Sequence, residues 1–197
     1  MKAKLLSICL LALAGSTATA QDDFMMVNYQ VGFPMGELQS YIEKTSWRGI
    51  NIGYRHLIDG EIAVGVDLST QVFYEQKDYD TYTRGTASLT GTQYRYSWNT
   101  PMTAHIDYVL GEGKDLRPFI GMGLGALYSY RVTDFGLYRI TQDPWQFIMV
   151  PEVGVTYYMS AGSALFVSAK YNAAFDSKDL GGQSYIGLNV GVLFSTN

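Results

Sequence analysis

Residues 117–130 read RPFIGMGLGALYSY and show the strongest alternation in the chain. From residue 120 to residue 126 every even position is apolar or alanine, and every odd position is glycine. A repeat of two residues is the period of a β-strand, because successive side chains of a strand point to opposite faces. The stretch therefore predicts a strand with one apolar face and one face of very small residues.

The same alternation continues on both sides of this stretch. Seven further segments show it, at residues 27–33, 50–55, 62–69, 94–108, 147–157, 165–172 and 186–194. Long connections at 36–46, 75–91, 133–145 and 176–182 alternate with short ones near 58–60, 110–116 and 160–162. This alternation of long and short connections is typical of membrane barrels with short turns at one end and longer loops at the other. We expect an all-β, eight-stranded antiparallel up-and-down transmembrane barrel.

The composition excludes several other classes of protein. The chain has 197 residues, 47% of them apolar, which is too rich for a disordered protein. A mean hydropathy of −0.01 argues against a helical membrane protein, which needs runs of roughly 20 apolar residues. The single cysteine, Cys9, excludes a disulfide scaffold.

The first 20 residues have the pattern of a secretory signal peptide. Lys2 and Lys4 precede an apolar stretch at residues 5–14, and Ala18-Thr19-Ala20 is a small-x-small cleavage site. A lipoprotein signal at Cys9 is disfavoured because Cys9 lies at the start of the apolar stretch. Cleavage after Ala20 assigns residues 21–197 to the barrel and leaves 12 basic against 18 acidic residues, a net charge of −6. This balance argues against a nucleic-acid partner.

Two observations favour a membrane barrel over a soluble one. The polar faces of the strands are rich in glycine, which suits a crowded interior, so the apolar faces are predicted to point outward to lipid. Aromatic residues also fall at two heights about 25 Å apart, the expected thickness of the apolar band. The predicted upper and lower aromatic girdles contain Trp98, Tyr128 and Phe147, and Tyr108, Tyr157 and Phe194, respectively.

The interior is predicted to hold a polar network. A three-residue loop at 58–60, with Gly60 left-handed, would place Asn51 opposite Asp67, and a loop at 160–162 would place Glu152 opposite Lys170. Buried charges need partners, so we expect a salt-bridged plug, with a narrow polar or proton path as the alternative. The predicted network contains Asn51, Asp67, His105, Asp107, Glu152 and Lys170, with Arg55 lower down.

Two prolines lie at positions where continuous strands are predicted. Pro101 and Pro151 fall inside predicted strands, where each removes a hydrogen-bond donor, and a closed barrel has no edge strand to hold them. We expect local β-bulges at both positions, or different strand limits.

The most enzyme-like pattern is Thr103-x-His105-x-Asp107 on one strand. A nucleophile, a base and an orienting acid would be needed. Side chains two residues apart are about 7 Å apart along a strand, and this row faces the interior. We therefore expect no catalysis, and two histidines without a mature cysteine predict no metal site and no cofactor.

The long connections could carry a binding surface. Tyr79 and Tyr82 lie among charges in 75–91, and Tyr138, Arg139 and Trp145 lie in 133–145. Such residues form binding hot spots, whereas the alternative is a solvated loop with aromatics against lipopolysaccharide.

Residues 117–130 and the stretch YIGLNVGVLF at 185–194 resemble small outer-membrane barrels of the OmpA transmembrane domain, OmpX and OmpW type. The resemblance implies a monomer in the outer membrane, in contact with lipid and lipopolysaccharide and inserted by barrel-assembly machinery. It implies no shared activity: a non-enzymatic structural or loop-binding role is expected. A narrow channel for small or apolar molecules, or a lipid A-modifying enzyme, is the alternative. Three residues follow Phe194, where family members usually end.

Overall fold

The computed structural model describes residues 23–196, apart from residues 59, 85, 86, 112–114, 137, 161 and 179. The single helix of this described part, α1, is Gly36–Tyr41. The strands are β1 (Asp23–Met35), β2 (Ser46–Leu57), β3 (Ile62–Arg84), β4 (Ala87–Val109), β5 (Leu116–Phe135), β6 (Tyr138–Gln142), β7 (Trp145–Ser160), β8 (Ser163–Ala174) and β9 (Gln183–Ser195). The signal peptide predicted for residues 1–20 lies outside the described residues.

Eight strands form a closed antiparallel barrel. Their order is β4-β3-β2-β1-β9-β8-β7-β5, and pairing of β4 with β5 closes the ring. The strand β6 lies outside the ring, and β5 is its single pairing partner among the described residues. The predicted eight-stranded up-and-down barrel is confirmed. We call the end with the tight turns after β2 and β7 the short-turn end, and the opposite end the long-strand end.

No helix among the described residues is long and apolar enough to cross a membrane.

The long-strand end carries strands where loops were predicted. The ring pairing of β3 with β2 stops at Gln71, and that of β5 with β7 stops at Tyr128, but both strands continue. Residues 72–84, 87–98, 129–135 and 138–142 form a four-stranded sheet beyond the ring, here called the extension sheet. The predicted loops 75–91 and 133–145 are therefore largely β-hairpins. The sequence did not reveal these hairpins, because their side chains are mostly polar and a sheet exposed to solvent on both faces has no alternation of apolar and polar residues.

One predicted register is wrong and one is confirmed. Asn51 pairs with Ser69, and Asp67 pairs with Gly53. The Ile58 amide donates to the Ile62 carbonyl at 2.7 Å, so Ile58 pairs with Ile62 and is not part of the loop, as the predicted loop at 58–60 required. Alternation decides only whether the sum of two paired residue numbers is odd or even, and the predicted and the observed register have the same parity. Gly60 has the predicted left-handed conformation, with φ of 75°, and Glu152 pairs with Lys170 as expected.

The β-bulges expected at Pro101 and Pro151 are also wrong. The pairs on either side of each proline keep one register, and the ladder is interrupted towards one neighbour only. Pro101 still pairs with Leu127, and Pro151 with Met122. A strand residue directs its N–H to one neighbour, so a proline removes hydrogen bonding on that side without requiring an extra residue.

The two faces of the barrel have the predicted polarity. The outer face is apolar, with exposed fractions of 56% for Ile120, 57% for Val66 and 58% for Val190. The inner face combines buried polar side chains with glycines. The apolar residues of each strand therefore meet the surroundings, and its polar residues fill the lumen.

The lumen is filled in layers along its axis. At the long-strand end Leu38 of α1 and Ile42, which directly follows the helix, are fully buried against Phe73 and Tyr185, and these four residues form the cap. At the short-turn end an apolar cluster forms the foot, comprising Phe24, Met26, Leu57, Ala63, Phe119, Ala164, Phe166 and Leu193. Between cap and foot lie amide and hydroxyl side chains and then a layer of charged ones.

Candidate functional site

Five strands bring six ionisable side chains together above the foot. The group, here called the charge cluster, consists of Arg55 on β2, Asp67 on β3, His105 and Asp107 on β4, Glu152 on β7, and Lys170 on β8. Each residue is at most 5% exposed. Alternation places all six on the inner face, and the circular closure of the sheet brings β2 and β8 within reach of β4.

Arg55 is the centre of the charge cluster. Its guanidinium donates to Asp67 at 2.5 Å and 3.2 Å, donates to Asp107 through Nε, and lies 3.7 Å from Glu152. Lys170 donates to Asp67 and lies 3.6 Å from Glu152. Each cation is thereby shared among carboxylates, as a buried charge requires. Arg55 had been expected lower down, apart from the network.

The imidazole of His105 lies among the three carboxylates. Its Nε2 is 3.0 Å from Thr103 Oγ1 and 3.4 Å from Asp67 Oδ2. Its Nδ1 is 3.5 Å from Glu152 Oε2 and 3.9 Å from Asp107 Oδ1, and it has no hydrogen-bond partner. Both Glu152 oxygens also lack a hydrogen-bond partner.

Glycines make room for these side chains. A Cβ atom on Gly123 would overlap the His105 ring, and one on Gly121 would overlap the Asp107 carboxylate. On β2, a Cβ on Gly53 would overlap the Asp67 carboxylate. Gly121 and Gly123 of the 117–130 stretch therefore make room for cluster side chains on the neighbouring strand, whereas Gly125 lies against the backbone of Met102.

Asn51 belongs to a different layer. It is fully buried and accepts a hydrogen bond from Asn28 at 3.0 Å. The structure thus brings together five of the six predicted network residues and adds Arg55, while Asn51 lies with the amides. Other amide-layer contacts join Gln183 to Ser129 and to Gln146.

The prediction that side chains two residues apart on this strand lie too far apart for a hydrogen bond is wrong for Thr103 and His105, whereas His105 Nδ1 stays 3.9 Å from Asp107 Oδ1. Thr103 and His105 are within hydrogen-bond distance because the side chains lean towards each other along the strand. The row still lies inside the filled lumen, between cap and foot. Its arrangement supplies a buried hydrogen bond between Thr103 and His105.

One set of atoms has the proximity of metal ligands. Ligand atoms of Asp67, His105 and Glu152 all lie within 4.8 Å of one another. Both carboxylates already face Arg55 and Lys170 within 4 Å. A divalent ion would therefore enter beside two fixed positive charges.

The cap was not predicted from the sequence. Tyr41 of α1 donates to the Val132 carbonyl at 2.9 Å and lies 2.7 Å from Thr133 Oγ1. The guanidinium carbons of Arg95 and Arg131 lie 5.2 Å and 4.5 Å from its ring centroid. Burial raises the pKa of the Tyr41 phenol, which therefore remains a donor. The signal that could have found the cap is the pair Leu38 and Ile42, whose i, i+4 spacing fits one helix face.

The extension sheet exposes large side chains. Tyr79 is 75% exposed and Tyr138 is 66% exposed, and Ile140 on β6 is also exposed. Arg139 donates to Asp134 at 2.6 Å and 3.0 Å, which aligns the two strands. The outer edge of β6 has no paired strand among the described residues.

All six predicted girdle residues lie on the outer face. Phe147 and Tyr157 are ten positions apart on β7, which corresponds to about 25 Å along the barrel axis. The upper set is larger than predicted, because Trp98 contacts Tyr96 and Tyr130, and Tyr128 contacts Trp145. In the lower set, Tyr108 donates to Glu61 at 3.0 Å.

Comparison with known proteins finds the fold and no sequence family. No family model matches the chain, and no curated protein matches it. The solved structure of OprG from Pseudomonas aeruginosa superposes with a TM-score of 0.55 at 15% identity, covering 90% of this chain and 97% of that one. Ail of Yersinia pestis gives 0.54 at 12%, covering 89% and 100%, and Neisserial surface protein A gives 0.53 at 12%, covering 91% and 99%. The chain thus has the fold of small outer-membrane barrels.

Proposed function

We propose that this protein is a monomeric outer-membrane barrel without enzymatic activity, which acts by binding partners through its extension sheet. The observation that carries the proposal is the contrast between the two parts of the molecule. The lumen is filled from cap to foot by buried side chains, whereas the extension sheet exposes Tyr79, Tyr138 and Ile140.

The outer face supports the location in the outer membrane. An apolar band about 25 Å high between two sets of aromatic residues matches the hydrocarbon thickness that such barrels span. The solved barrels with this fold are described as outer-membrane or surface proteins. In this orientation the short-turn end faces the periplasm, and the extension sheet lies outside the cell, next to lipopolysaccharide. Residues 185–194 would be read by the assembly machinery.

The chemistry of the extension sheet favours a ligand held by aromatic and hydrogen-bond contacts. Its four acidic residues nearly offset its five basic ones, so it is not a basic patch; the acids are Glu75, Asp78, Asp80 and Asp134, and the bases are Lys77, Arg84, Arg95, Arg131 and Arg139. One structure of Ail contains sucrose octasulfate, a heparin analogue. The mixed charges here give no comparable reason to expect a polyanion. A glycan or an extended peptide fits the exposed tyrosines better.

The test compares the intact barrel with a shortened variant in which Asn-Gly replaces residues 78–92 and serine replaces Tyr138 and Ile140. Lys77 and Gln93 are paired, so a two-residue turn can join them. Both proteins, in lipid nanodiscs, are applied to arrays of surface polysaccharides and extended peptides. Binding that the shortened variant loses supports the proposal. Signals equal for both proteins, or none from either, would contradict it, and recovery from the soluble fraction of cells would contradict the location.

A further inference from the structure

We propose that four aromatic rings on the membrane side of the extension sheet bind the sugars of lipopolysaccharide that directly follow lipid A. The rings belong to Tyr74, Tyr96, Trp98 and Tyr130 and are here called the aromatic platform. The proposal rests on the outer-membrane orientation proposed for the barrel. It does not involve the exposed side chains to which partner binding is assigned.

The platform continues the lipid-facing wall of the barrel upward. Even-numbered residues of β4 and β5 share one face, because the two strands pair in one unbroken register over residues 93–109 of β4. In the ring this face meets the surroundings, as the exposed Leu124 shows. Trp98 and Tyr130 pair on the same face at the upper girdle, and Tyr96 follows two residues further along β4. The platform is therefore the outer face of the sheet and not the face towards the barrel mouth.

The four rings form one continuous row. The ring centroids are 4.8 Å apart for Tyr74 and Tyr96, 5.5 Å for Tyr96 and Trp98, and 5.6 Å for Trp98 and Tyr130. Mutual packing holds the rings in place, so a ligand that lies on them costs little further side-chain entropy. All four side chains remain partly exposed. The row is a preformed apolar surface.

The height of the platform matches the layer in which the sugars begin. Trp98 and Tyr130 lie at the upper girdle, and Tyr74 and Tyr96 lie about 5 Å higher along the barrel axis. Aromatic residues at a membrane interface sit at the level of the headgroups, where the hydrocarbon ends. In the outer leaflet the groups next above the lipid A headgroup are its attached sugars. These sugars are tethered beside the platform, so their effective concentration is high and weak contacts are sufficient.

The chemistry of this face favours sugar rings over phosphate groups. Above the rings the same face carries Gln76, Tyr94, Asp134 and Arg139. Arg139 donates to Asp134 at 2.6 Å and 3.0 Å, so these two charges compensate each other. A phosphate group would need uncompensated cations. The apolar face of a sugar packs on aromatic rings, and its hydroxyl groups form hydrogen bonds with amide, phenol and carboxylate groups.

The experiment measures which glycolipid the barrel retains. The barrel is placed in phospholipid nanodiscs with equal small amounts of lipid A and of a lipopolysaccharide that has core sugars but no O-antigen. After extraction in mild detergent, native mass spectrometry counts each bound glycolipid. The unmodified barrel should retain the lipopolysaccharide over lipid A by roughly three- to tenfold. Tyr74→Leu/Tyr96→Leu keeps apolar side chains but removes two rings, so this preference should disappear.

Tyr79→Leu/Tyr138→Leu is the matched control, because it removes two phenol rings from the extension sheet outside the platform. It should keep the preference of the unmodified barrel, and the gel-mobility shift verifies that all three proteins are folded. Equal retention of both glycolipids by the unmodified barrel would overturn the proposal. So would a preference that survives Tyr74→Leu/Tyr96→Leu, or a loss that the control shares.

A soluble glycan is the other possible source of sugar rings. A signal on the polysaccharide arrays that requires Tyr74 and Tyr96, without any preference for lipopolysaccharide over lipid A in nanodiscs, would contradict the proposed source. Cell fractionation and the shortened variant test the location and the partner binding separately. A failure of the proposed function can therefore be distinguished from a failure of the platform.

Discussion

At the residue scale, the interior glycines Gly53, Gly121 and Gly123 leave the space that the side chains of the charge cluster occupy. A methyl group at Gly123 would overlap the His105 ring, which its contacts to Thr103 and the carboxylates hold in place. We predict that Gly123→Ala destabilises the barrel by about 1–3 kcal/mol, the usual range for overpacking. Urea unfolding in detergent micelles, followed by the gel-mobility shift of the folded barrel, measures this.

Gly162→Ala is the matched control for this substitution. A Cβ at Gly162 in the turn after β7 has no neighbour within 4 Å, so the Gly162→Ala variant should have the same unfolding free energy as the unmodified barrel. Equal unfolding midpoints for the two variants would show that the ring of His105 can move aside, and that the glycine face has another origin.

The residue scale also shows what alternation can and cannot predict. It placed Asp67, His105, Asp107, Glu152 and Lys170 on the inner face, because in a strand the face depends only on odd or even position. It could not place Arg55 among them, since that depends on registers around the ring. Nor could it identify the foot, where Phe24, Phe119 and Phe166 occupy inner positions, because an inward phenylalanine breaks the alternation by which the inner face was recognised.

At the element scale, α1 is held in the barrel mouth by contacts that respond to pH. The Glu43 amide donates to Glu75 at 2.8 Å, and Lys77 donates to the Glu43 carboxylate at 2.7 Å. The hydrogen bond from Lys77 lowers the pKa of the Glu43 carboxyl below its ordinary value of 4.5. Because the folded-state pKa is the lower one, the contribution is complete above about pH 4.5 and is lost as the pH falls through the folded value.

We therefore predict that amide exchange of residues 42–45 accelerates by a few-fold between pH 6 and pH 3.5, after correction for the intrinsic rate. The effect should be small and should shrink in high salt, because the pair is exposed. Lys77→Met should remove most of the pH dependence while leaving the barrel intact. An unchanged pH dependence in Lys77→Met would assign the tether to other contacts of α1.

The extension sheet is an element that the ring does not need. Its strands pair with each other beyond Gln71 and Tyr128, where the pairing of β3 and β5 with their other ring neighbours has ended. We predict that replacing residues 78–92 with Asn-Gly leaves the urea midpoint of the barrel within experimental error. The gel-mobility shift reports this directly. A barrel that no longer inserts would show that the hairpin of β3 and β4 is required for closure.

At the scale of the whole molecule, the inverted faces can be tested with single labels. Cys9 is the only cysteine and lies in the predicted signal peptide, so introduced cysteines would be unique in the mature protein. Spin labels at Leu124 and Val167 should be relaxed by oxygen and protected from a water-soluble nickel complex. A label at Tyr138 on the extension sheet should show the opposite. Nickel accessibility at Leu124 would mean that the apolar face does not meet lipid.

The layered lumen leads to a final prediction about conduction. Ions would have to cross an apolar cap, a layer of amides, a charge cluster and an apolar foot, and apolar constrictions block ions even where side chains leave space for water. We predict that the purified barrel gives no unitary currents in a planar bilayer. Replacing both Glu152 and Lys170 with alanine opens only the charged layer, so that variant should also be silent. Replacing residues 37–42 with a glycine-serine segment removes the cap but leaves Phe119 and Phe166 at the foot, and it should remain silent too. Steady currents from the unmodified barrel would show that cap and foot move apart in the membrane, and would favour a narrow channel over a role at the extension sheet.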